Sequence, residues 1–439
     1  MREASLSEDW HARARALIPA VTQTLAKAPS QFVEGVAPKY LRRGEGARVW
    51  DVDGREYLDF GMGVGPLVLG YCHPAVDHAI RMQLRDGITF TLMHPLEVEV
   101  AELVAELVPG AEQVRFSKTG ADVTSAAIRL ARAFTGRPRV LCCGYHGWHD
   151  WYVSVTERSR GVPEAVADLT STFQYNDLDS LVEGLDDETA CVILEPTTFE
   201  EPKPGFLAGV RELCTERGAL LVFDEMWTGF RLALGGAQER FGVTADLACF
   251  SKAVANGMPL SVLTGRRDVM SLLESDVFFF TTFGGEALSL AAARATLREL
   301  RNRKVPQHLE RVGTALRDGI NALAAEMGAD FVRCIGPGCR SLVVFDARAG
   351  DPLLMKSLVQ QELLHCGVLW PGTHALSLAH GDGEIREALE AYRHALHVLV
   401  DAVAAGDVRR RLMGAPVVPA FRRPLGFHSK PRRGKAAAR

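Results

Sequence analysis

Six short β-rich runs alternate with helical segments between residues 113 and 265, and that alternation restricts the fold more than any other feature. The runs are QVRFS (113–117), RVLCCG (139–144), ACVILEP (190–196), ALLVFDE (219–225), LACFSK (247–252) and LSVLTG (260–265). Between the first two lies TGADVTSAAIRLARAFTG, whose Val123, Ala126, Ala127, Leu130, Ala131 and Phe134 fall on one helical face. GFLAGVRELCTERG, ahead of the fourth run, reads as a second amphipathic helix. Strands alternating with helices predict a mainly parallel α/β sheet covered on both faces. Ligands of such sheets collect at the carboxyl ends of the strands. Asp224, Lys252, Tyr145 and the Thr119-Gly120 turn all stand at or just beyond such ends, so they are predicted to converge on one cleft.

Outside this stretch the pattern changes. Residues 1–30 read as a helical lead-in ended by Pro29, residues 45–60 as a hairpin around Asp53-Gly54, and PLEVEVAELVAEL (95–107) as a helix. After about residue 310 come a helix, a strand (SLVVFD), a helix, a short strand (ALSLAH) and a long final helix. The expected division is 1–70, an N-terminal segment with part of a smaller domain; 71–310, the large α/β domain; 311–405, a smaller α+β domain; and 406–439, a basic flexible tail. That tail, with FRRPLGFHSKPRRGKAAAR, is read as solvated rather than as a nucleic-acid or membrane contact. A net charge of −4 gives no general pull toward nucleic acid. No apolar run is long enough to span a membrane, and the charged N-terminus lacks the apolar core of a secretory signal. Nine cysteines at scattered spacing suggest no disulfide framework, so a reducing cytoplasm is expected.

Asp224 ends a four-residue apolar run, where a carboxylate is costly unless paired. Lys252 follows 28 positions later (252 − 224), ahead of the turn Asn256-Gly257-Met258-Pro259. Alone, each has a plain reading: Asp224 as a strand-end turn cap or a partner of Arg231, Lys252 as a surface lysine. Together they are what pyridoxal 5′-phosphate (PLP) chemistry requires, a lysine for the cofactor aldehyde and a carboxylate for the pyridine nitrogen. A lysine in that role must shed its proton, which a desolvated pocket promotes, and once freed can act as a general base. Thr119-Gly120-Ala121 opens a helix whose exposed amides suit a phosphate; an ordinary helix cap reads the same way. Thr281-Thr282-Phe283-Gly284-Gly285 poses the same pair of readings before a later helix. Tyr145 could stack on a pyridine face. Cys142, Cys143, His146 and His149 lack two separated ligand pairs, so no metal is expected. DFGMGVGPLVLG mimics a dinucleotide fingerprint, but Pro66 occupies the third glycine position and no βαβ unit surrounds it.

In order along residues 35–400, VWDVDGREYLDF, TGADVTSAAIRLARAFTGR, YHG, EP, PGFLAGVRELCTERGALLVFDEMWTGFR, FSKAVANGMPLSVLTGR and TTFGGEALSLAAA resemble the class III (ω-type) PLP-dependent aminotransferases. The similarity is greatest to the branch of glutamate-1-semialdehyde aminomutase and the sugar or aminocyclitol aminotransferases. The resemblance implies a fold type I PLP-dependent transferase, with a large domain built on a mainly parallel seven-stranded-type sheet and a smaller α+β domain. It implies catalytic roles for Lys252 (the Schiff-base lysine) and Asp224 (on the pyridine nitrogen). It places Tyr145 and Met226 against the two ring faces, with His146 beside them, and Thr119, Gly120 and Ala121 at the phosphate. Thr282 matches a threonine that reaches the phosphate of the neighbouring subunit, which implies a homodimer. The expected substrates are an amino-acid donor and a carbonyl acceptor such as a sugar or aminocyclitol aldehyde or ketone. The rivals are an aminomutase and a PLP-binding protein without catalysis. The chain departs from the family at Thr119-Gly120-Ala121-Asp122-Val123 (commonly serine-glycine-threonine-glutamate-alanine), at Trp227 (commonly glutamine) and at Glu286-Ala287 (commonly asparagine-proline). The aminomutase's carboxylate-binding arginine element has no counterpart, with Ala37-Pro38-Lys39-Tyr40 near its place, which argues against glutamate 1-semialdehyde as substrate.

Overall fold

In the computed structural model, which describes residues 6–418 and 429–430, the chain divides into two units. One is drawn from residues 1–73 and 307–424, the other from 74–306 and 425–439. The first unit opens with the helix Leu6–Leu17. It stops well short of Pro29, because Pro19 forces Ile18 into an extended conformation, and three single 3-10 turns follow. Strands β1 (Leu41–Glu45), β2 (Arg48–Asp51) and β3 (Glu56–Asp59) pair antiparallel. The β2–β3 turn forms at Asp53-Gly54 because Gly54 takes φ +87° and the Asp51 carboxylate accepts from the amides of Asp53 (3.0 Å) and Arg55 (2.8 Å).

The second unit holds a seven-stranded sheet of β4 (Gln113–Ser117), β5 (Arg139–Cys143), β6 (Thr170–Thr172), β7 (Thr189–Leu194), β8 (Leu220–Asp224), β9 (Leu247–Phe250) and β10 (Ser261–Gly265). The order is β4-β10-β9-β8-β7-β5-β6. Only β10 runs against the others, since it pairs antiparallel with both neighbours and the remaining pairs are parallel. Each central strand feeds two cores. Val140, Cys142, Cys191, Ile193 and Val222 pack on Val123, Ala127 and Leu130 of the helix Gly120–Thr135. Leu141, Cys143, Val192, Leu194, Leu221 and Phe223 pack on Phe206, Leu207 and Val210 of the helix Phe206–Arg217. Burial of alternate residues on opposite faces is why these strands read as continuous apolar runs. Truncating one, for example Leu221→Ala, costs about 2–5 kcal/mol.

Two details differ from the expected pattern. Phe134 lies in the last, exposed turn of its helix, under the Arg266 guanidinium, 5.6 Å from the ring centroid. Strand β6 is only Thr-Ser-Thr, too short and polar to announce itself. Lys430 pairs on it, donating its amide to Thr172 Oγ1 (2.7 Å) and accepting from the Thr172 amide (3.0 Å).

The first unit resumes with β11 (Val332–Ile335), β12 (Arg340–Phe345), β13 (Val368–Leu369) and β14 (Thr373–Ala375). Strand β13 adds to β3 in parallel, and β11-β12-β14 form a separate sheet. The strand expected over ALSLAH ends at Ala375. The His380 ring accepts the Ser377 amide (3.1 Å) and the chain turns there instead. Residues 406–418, expected as the start of a flexible tail, are tied down. They carry the short helix Val408–Arg411, and the Ala415 carbonyl and Val417 amide bond to the Glu34 amide (3.2 Å) and to Ser357 Oγ (3.0 Å). Of the remaining tail, only residues 429–430 are among those described.

Candidate active site

Strands β8 and β9 lie side by side in parallel, with Asp224 opposite Cys249. Three residues after Cys249 the chain reaches Lys252, so the carboxylate and the amine share the carboxyl edge of adjacent strands. Lys252 opens a single 3-10 turn, Lys252–Ala255, with φ +36°. A side chain with a β carbon rarely occupies that region, and such strain persists where the surroundings impose it, most often at functional sites. Lys252 Nζ lies 5.0 Å from the centroid of the Trp227 ring, and the buried Arg231 guanidinium lies 5.1 Å from the same centroid. Both groups thus face the Trp227 indole.

Asp224 is 1% exposed. Its Oδ2 is 2.8 Å from His146 Nδ1 and its Oδ1 accepts the Met226 amide at 3.1 Å. A carboxylate can only accept, so Nδ1 donates. His146 is itself buried, stacked on Trp151 (6.0 Å between centroids, 15°) and edge-on to Tyr152 (5.3 Å). Its Nε2 has no hydrogen-bond partner among the described residues. Thr124 Oγ1 donates to the His146 carbonyl (2.9 Å), tying this segment to the helix Gly120–Thr135. Tyr145 is fixed by its amide, which donates to the buried Glu195 Oε1 (2.8 Å), while its half-exposed ring meets Tyr152 edge-on at 5.5 Å. Glu225 projects to the other side of the strand end. Burial pushes its carboxyl up to about 7, although it accepts from the amides of Ala237 and Gln238 and from Thr228 Oγ1.

Thr119 caps the 16-residue helix Gly120–Thr135. Its Oγ1 accepts the Asp122 amide (3.3 Å), and Asp122 Oδ2 accepts the Thr119 amide (2.8 Å) and the Ser117 hydroxyl (2.8 Å). Burial pushes the Asp122 carboxyl up, but these bonds outweigh it and hold the group below the usual carboxylate value. The amides of Gly120 and Ala121 take no part in this box, so the helix start keeps donors for an anion. Space there is tight. A Cβ on Gly120 would sit 2.8 Å from Met226 Sδ, and one on Gly147, at φ +108°, 2.8 Å from the Ala121 Cβ. Thr119, Gly120, Ala121, Tyr145, His146, Met226, Asp224 and Lys252 therefore gather at the carboxyl edge of one sheet. Thr282 is exposed, on the loop that leads into the helix Ala287–Asn302. The Cys/His cluster does not act as a set: Cys142 and Cys143 enter opposite cores, His146 bonds Asp224 and His149 bonds Ser125 Oγ (2.6 Å). Sequence reasoning missed Lys118, which precedes the helix cap, and the buried ring pair Trp151 and Tyr152; neither carries a local motif.

This combination fits PLP. A buried carboxylate at a strand end, held by a histidine, is the kind of group a pyridinium nitrogen would pair with. A helix start with free backbone amides at Gly120 and Ala121 is the kind of site a phosphate would occupy. The fold and the site define a fold type I PLP-dependent transferase, and its cofactor is pyridoxal 5′-phosphate. The chain belongs to the aminotransferase class-III family, whose profile matches residues 33–369. It is 38% identical over 388 residues to a glutamate-1-semialdehyde 2,1-aminomutase of Syntrophobacter fumaroxidans, covering 81% of this chain and 90% of that one. A 3-aminobutyryl-CoA aminotransferase of Cloacimonas acidaminovorans is 34% identical over 408 residues, 90% of this chain and 96% of that one. Among solved structures, the PLP form of the FumI protein of Sphingopyxis sp. MTA144 matches with a TM-score of 0.84 at 30% identity, over 91% of this chain and 97% of that one. Among the described residues no helix is long and apolar enough to cross a membrane.

Proposed function

We propose that the protein is an aminotransferase that moves an amino group from an amino-acid donor to a carbonyl acceptor. The observation that carries this reading is the buried Asp224–His146 pair one strand away from the strained Lys252. Bound PLP supplies an aldehyde that takes up the substrate amine and a ring that withdraws electrons from the substrate carbon. In this reading Lys252 holds the cofactor between turnovers and then carries a proton at that carbon as general base. Asp224 would keep the ring nitrogen protonated, and His146 orients Asp224 through their 2.8 Å hydrogen bond. Thr119, Gly120 and Ala121 hold the phosphate. Tyr145 and Met226 would hold the ring, and Trp227, whose ring centroid is 5.0 Å from Lys252 Nζ, would line the pocket beside the lysine. The relatives' names lend no support to a sugar or aminocyclitol acceptor, so the acceptor is proposed only as a carbonyl compound.

The second reading, an intramolecular aminomutase, is favoured by the 38% identity to an enzyme of that name. One measurement separates them. Purified protein given an amino donor and no acceptor should release keto acid in amounts stoichiometric with active sites if it is an aminotransferase. A mutase releases none. Lys252→Ala should retain PLP non-covalently and lose turnover; full activity in that variant would sink both readings.

The protein is also inferred to work as a homodimer in which Thr282 reaches the neighbouring phosphate. Supporting this, Leu92 (76%), Met93 (80%), Phe278 (76%) and Phe280 (66%) are exposed on two segments joined by the hydrogen bond from the Ala287 amide to the Ile88 carbonyl (2.8 Å). Exposed apolar side chains of this size, Phe278 and Phe280 with ring centroids 6.0 Å apart among them, are what a protein interface covers.

A further inference from the structure

Lys118 stands immediately before the helix cap Thr119, and Glu286 immediately after the Thr281–Gly285 loop, 168 positions away. Lys118 Nζ donates to Glu286 Oε1 at 2.8 Å and to Ser289 Oγ at 3.3 Å. Glu286 is at the same time the cap of the helix Ala287–Asn302, accepting the amides of Leu288 (2.8 Å) and Ser289 (3.0 Å). Ser289 Oγ passes a bond on to the Pro259 carbonyl (3.1 Å), in the turn behind Lys252. At its other end, the Lys118 amide reaches Asp122 Oδ2 (3.3 Å), inside the capping box of the phosphate-side helix. One residue thus joins two helix starts and the turn that follows Lys252. The side chains of the pair are only 18% and 9% exposed, so water screens their charges weakly.

A carboxylate suits a helix start, but this one lies at a helix start bonded directly to the segment that holds Thr119 and Gly120. An unopposed negative charge there repels a phosphate dianion. We propose that Lys118 is a charge-compensating positioning residue: it cancels Glu286 beside the PLP phosphate site and fixes the Thr281–Gly285 loop to the phosphate cradle. It acts through Glu286 and Asp122 rather than by touching cofactor. This deepens the assignment of PLP to the site and rests on it.

The test is cofactor binding to the apo protein, followed by absorbance and tryptophan fluorescence, with thermal unfolding of each apo form alongside. Lys118→Met should weaken PLP binding by about tenfold or more, because it leaves the Glu286 charge without its counter-ion, held only by the Leu288 and Ser289 amides. The double variant Lys118→Met/Glu286→Gln should return to within about threefold of the parent, and Lys118→Arg should preserve affinity. Pyridoxal, which lacks the phosphate, should bind all four proteins alike. The proposal is overturned if Lys118→Met binds PLP like the parent, if the double variant is no better than the single one, or if pyridoxal is affected as strongly as PLP. Should Lys118→Met fail to fold, Glu286→Gln alone decides: equal or tighter PLP binding supports the proposal and weaker binding overturns it. A parent protein that binds no PLP sinks the cofactor assignment instead, so the two failures are distinguishable.

Discussion

His146 Nδ1 donates to Asp224 Oδ2 at 2.8 Å, between two side chains that are shut off from solvent and 78 positions apart in sequence. The bond gives the buried carboxylate a hydrogen-bonded partner and fixes its orientation. Asp224→Asn cannot hold a proton on the ring nitrogen and should lower kcat by about 10²–10³-fold while PLP still binds. A hydrogen bond to a charged group contributes about 1.5–3 kcal/mol, so His146→Phe should cost about 10–100-fold in kcat. His146→Gln, which restores a donor, should recover much of that loss. Equal rates for His146→Phe and the parent would remove His146 from the site.

Gly147 is the tightest point between the Tyr145 segment and the phosphate-side helix. A β carbon there meets Ala121 at 2.8 Å and sits on a backbone with φ +108°. Gly147→Ala should destabilise the protein by about 1–3 kcal/mol and weaken PLP binding along with it, because relief of the clash displaces Ala121. Unchanged PLP affinity in a destabilised variant would show that Ala121 does not contribute to phosphate binding.

Acid should weaken the unit that contains the buried histidines His374 and His380. His374 bonds Ser341 Oγ and the Tyr392 hydroxyl (both 2.8 Å), His380 bonds the Ser377 amide, and Phe60 lies against both rings. Burial lowers His374 to about 3 and His380 to about 4, with His308 and Glu384 the other titratable groups acting on His380. The folded state therefore keeps both neutral, while the unfolded chain takes up protons below about 6.5. Their contribution is complete above about pH 6.5 and is lost as pH falls from there toward the folded values. Urea midpoints should drop between pH 7.5 and pH 5, and the drop should shrink in His374→Asn/His380→Asn. Identical midpoints at the two pH values in the parent would contradict this.

Replacing Leu92 and Phe280 by Asp should convert the inferred dimer to monomer in sedimentation and reduce activity with it. Mixing Thr282→Ala with Lys252→Ala subunits offers a sharper check. Hybrid dimers carry one intact site if Thr282 serves the neighbouring subunit, so part of the activity returns. No recovery in verified hybrids would confine Thr282 to its own subunit.

Much of the fold was legible in the chain because every central strand of the large sheet is buried on both faces. Four residues such as Leu220–Phe223 then form an unbroken apolar run that ends at Asp224, where the polar work begins. The same rule leaves edge elements illegible. Thr170–Thr172 has three polar residues at the rim, and its pairing depends on what lies beside it. The helix proposed up to Pro29 overran the actual end at Leu17 because the pattern was read through Pro19, whose backbone effect is local and decisive. Trp227, Lys118 and Glu286 were visible only as substitutions or not at all. The indole's position 5.0 Å from Lys252 Nζ and the 2.8 Å ion pair are contacts between distant segments.

By itself the sequence determined the alternation of strand and helix, the family, and the presence of a lysine and an aspartate at strand ends. Those features are written in local periodicity, in turn chemistry and in ordered motifs. Only the tertiary structure decided that β8 and β9 are neighbours in the order β4-β10-β9-β8-β7-β5-β6, which brings Asp224 to the edge beside Lys252. It also decided that His146 holds Asp224, and that Lys252 is held at φ +36°. Strand order and buried polar pairing depend on which surfaces fit and which charges find partners, and neither leaves a periodic trace along the chain.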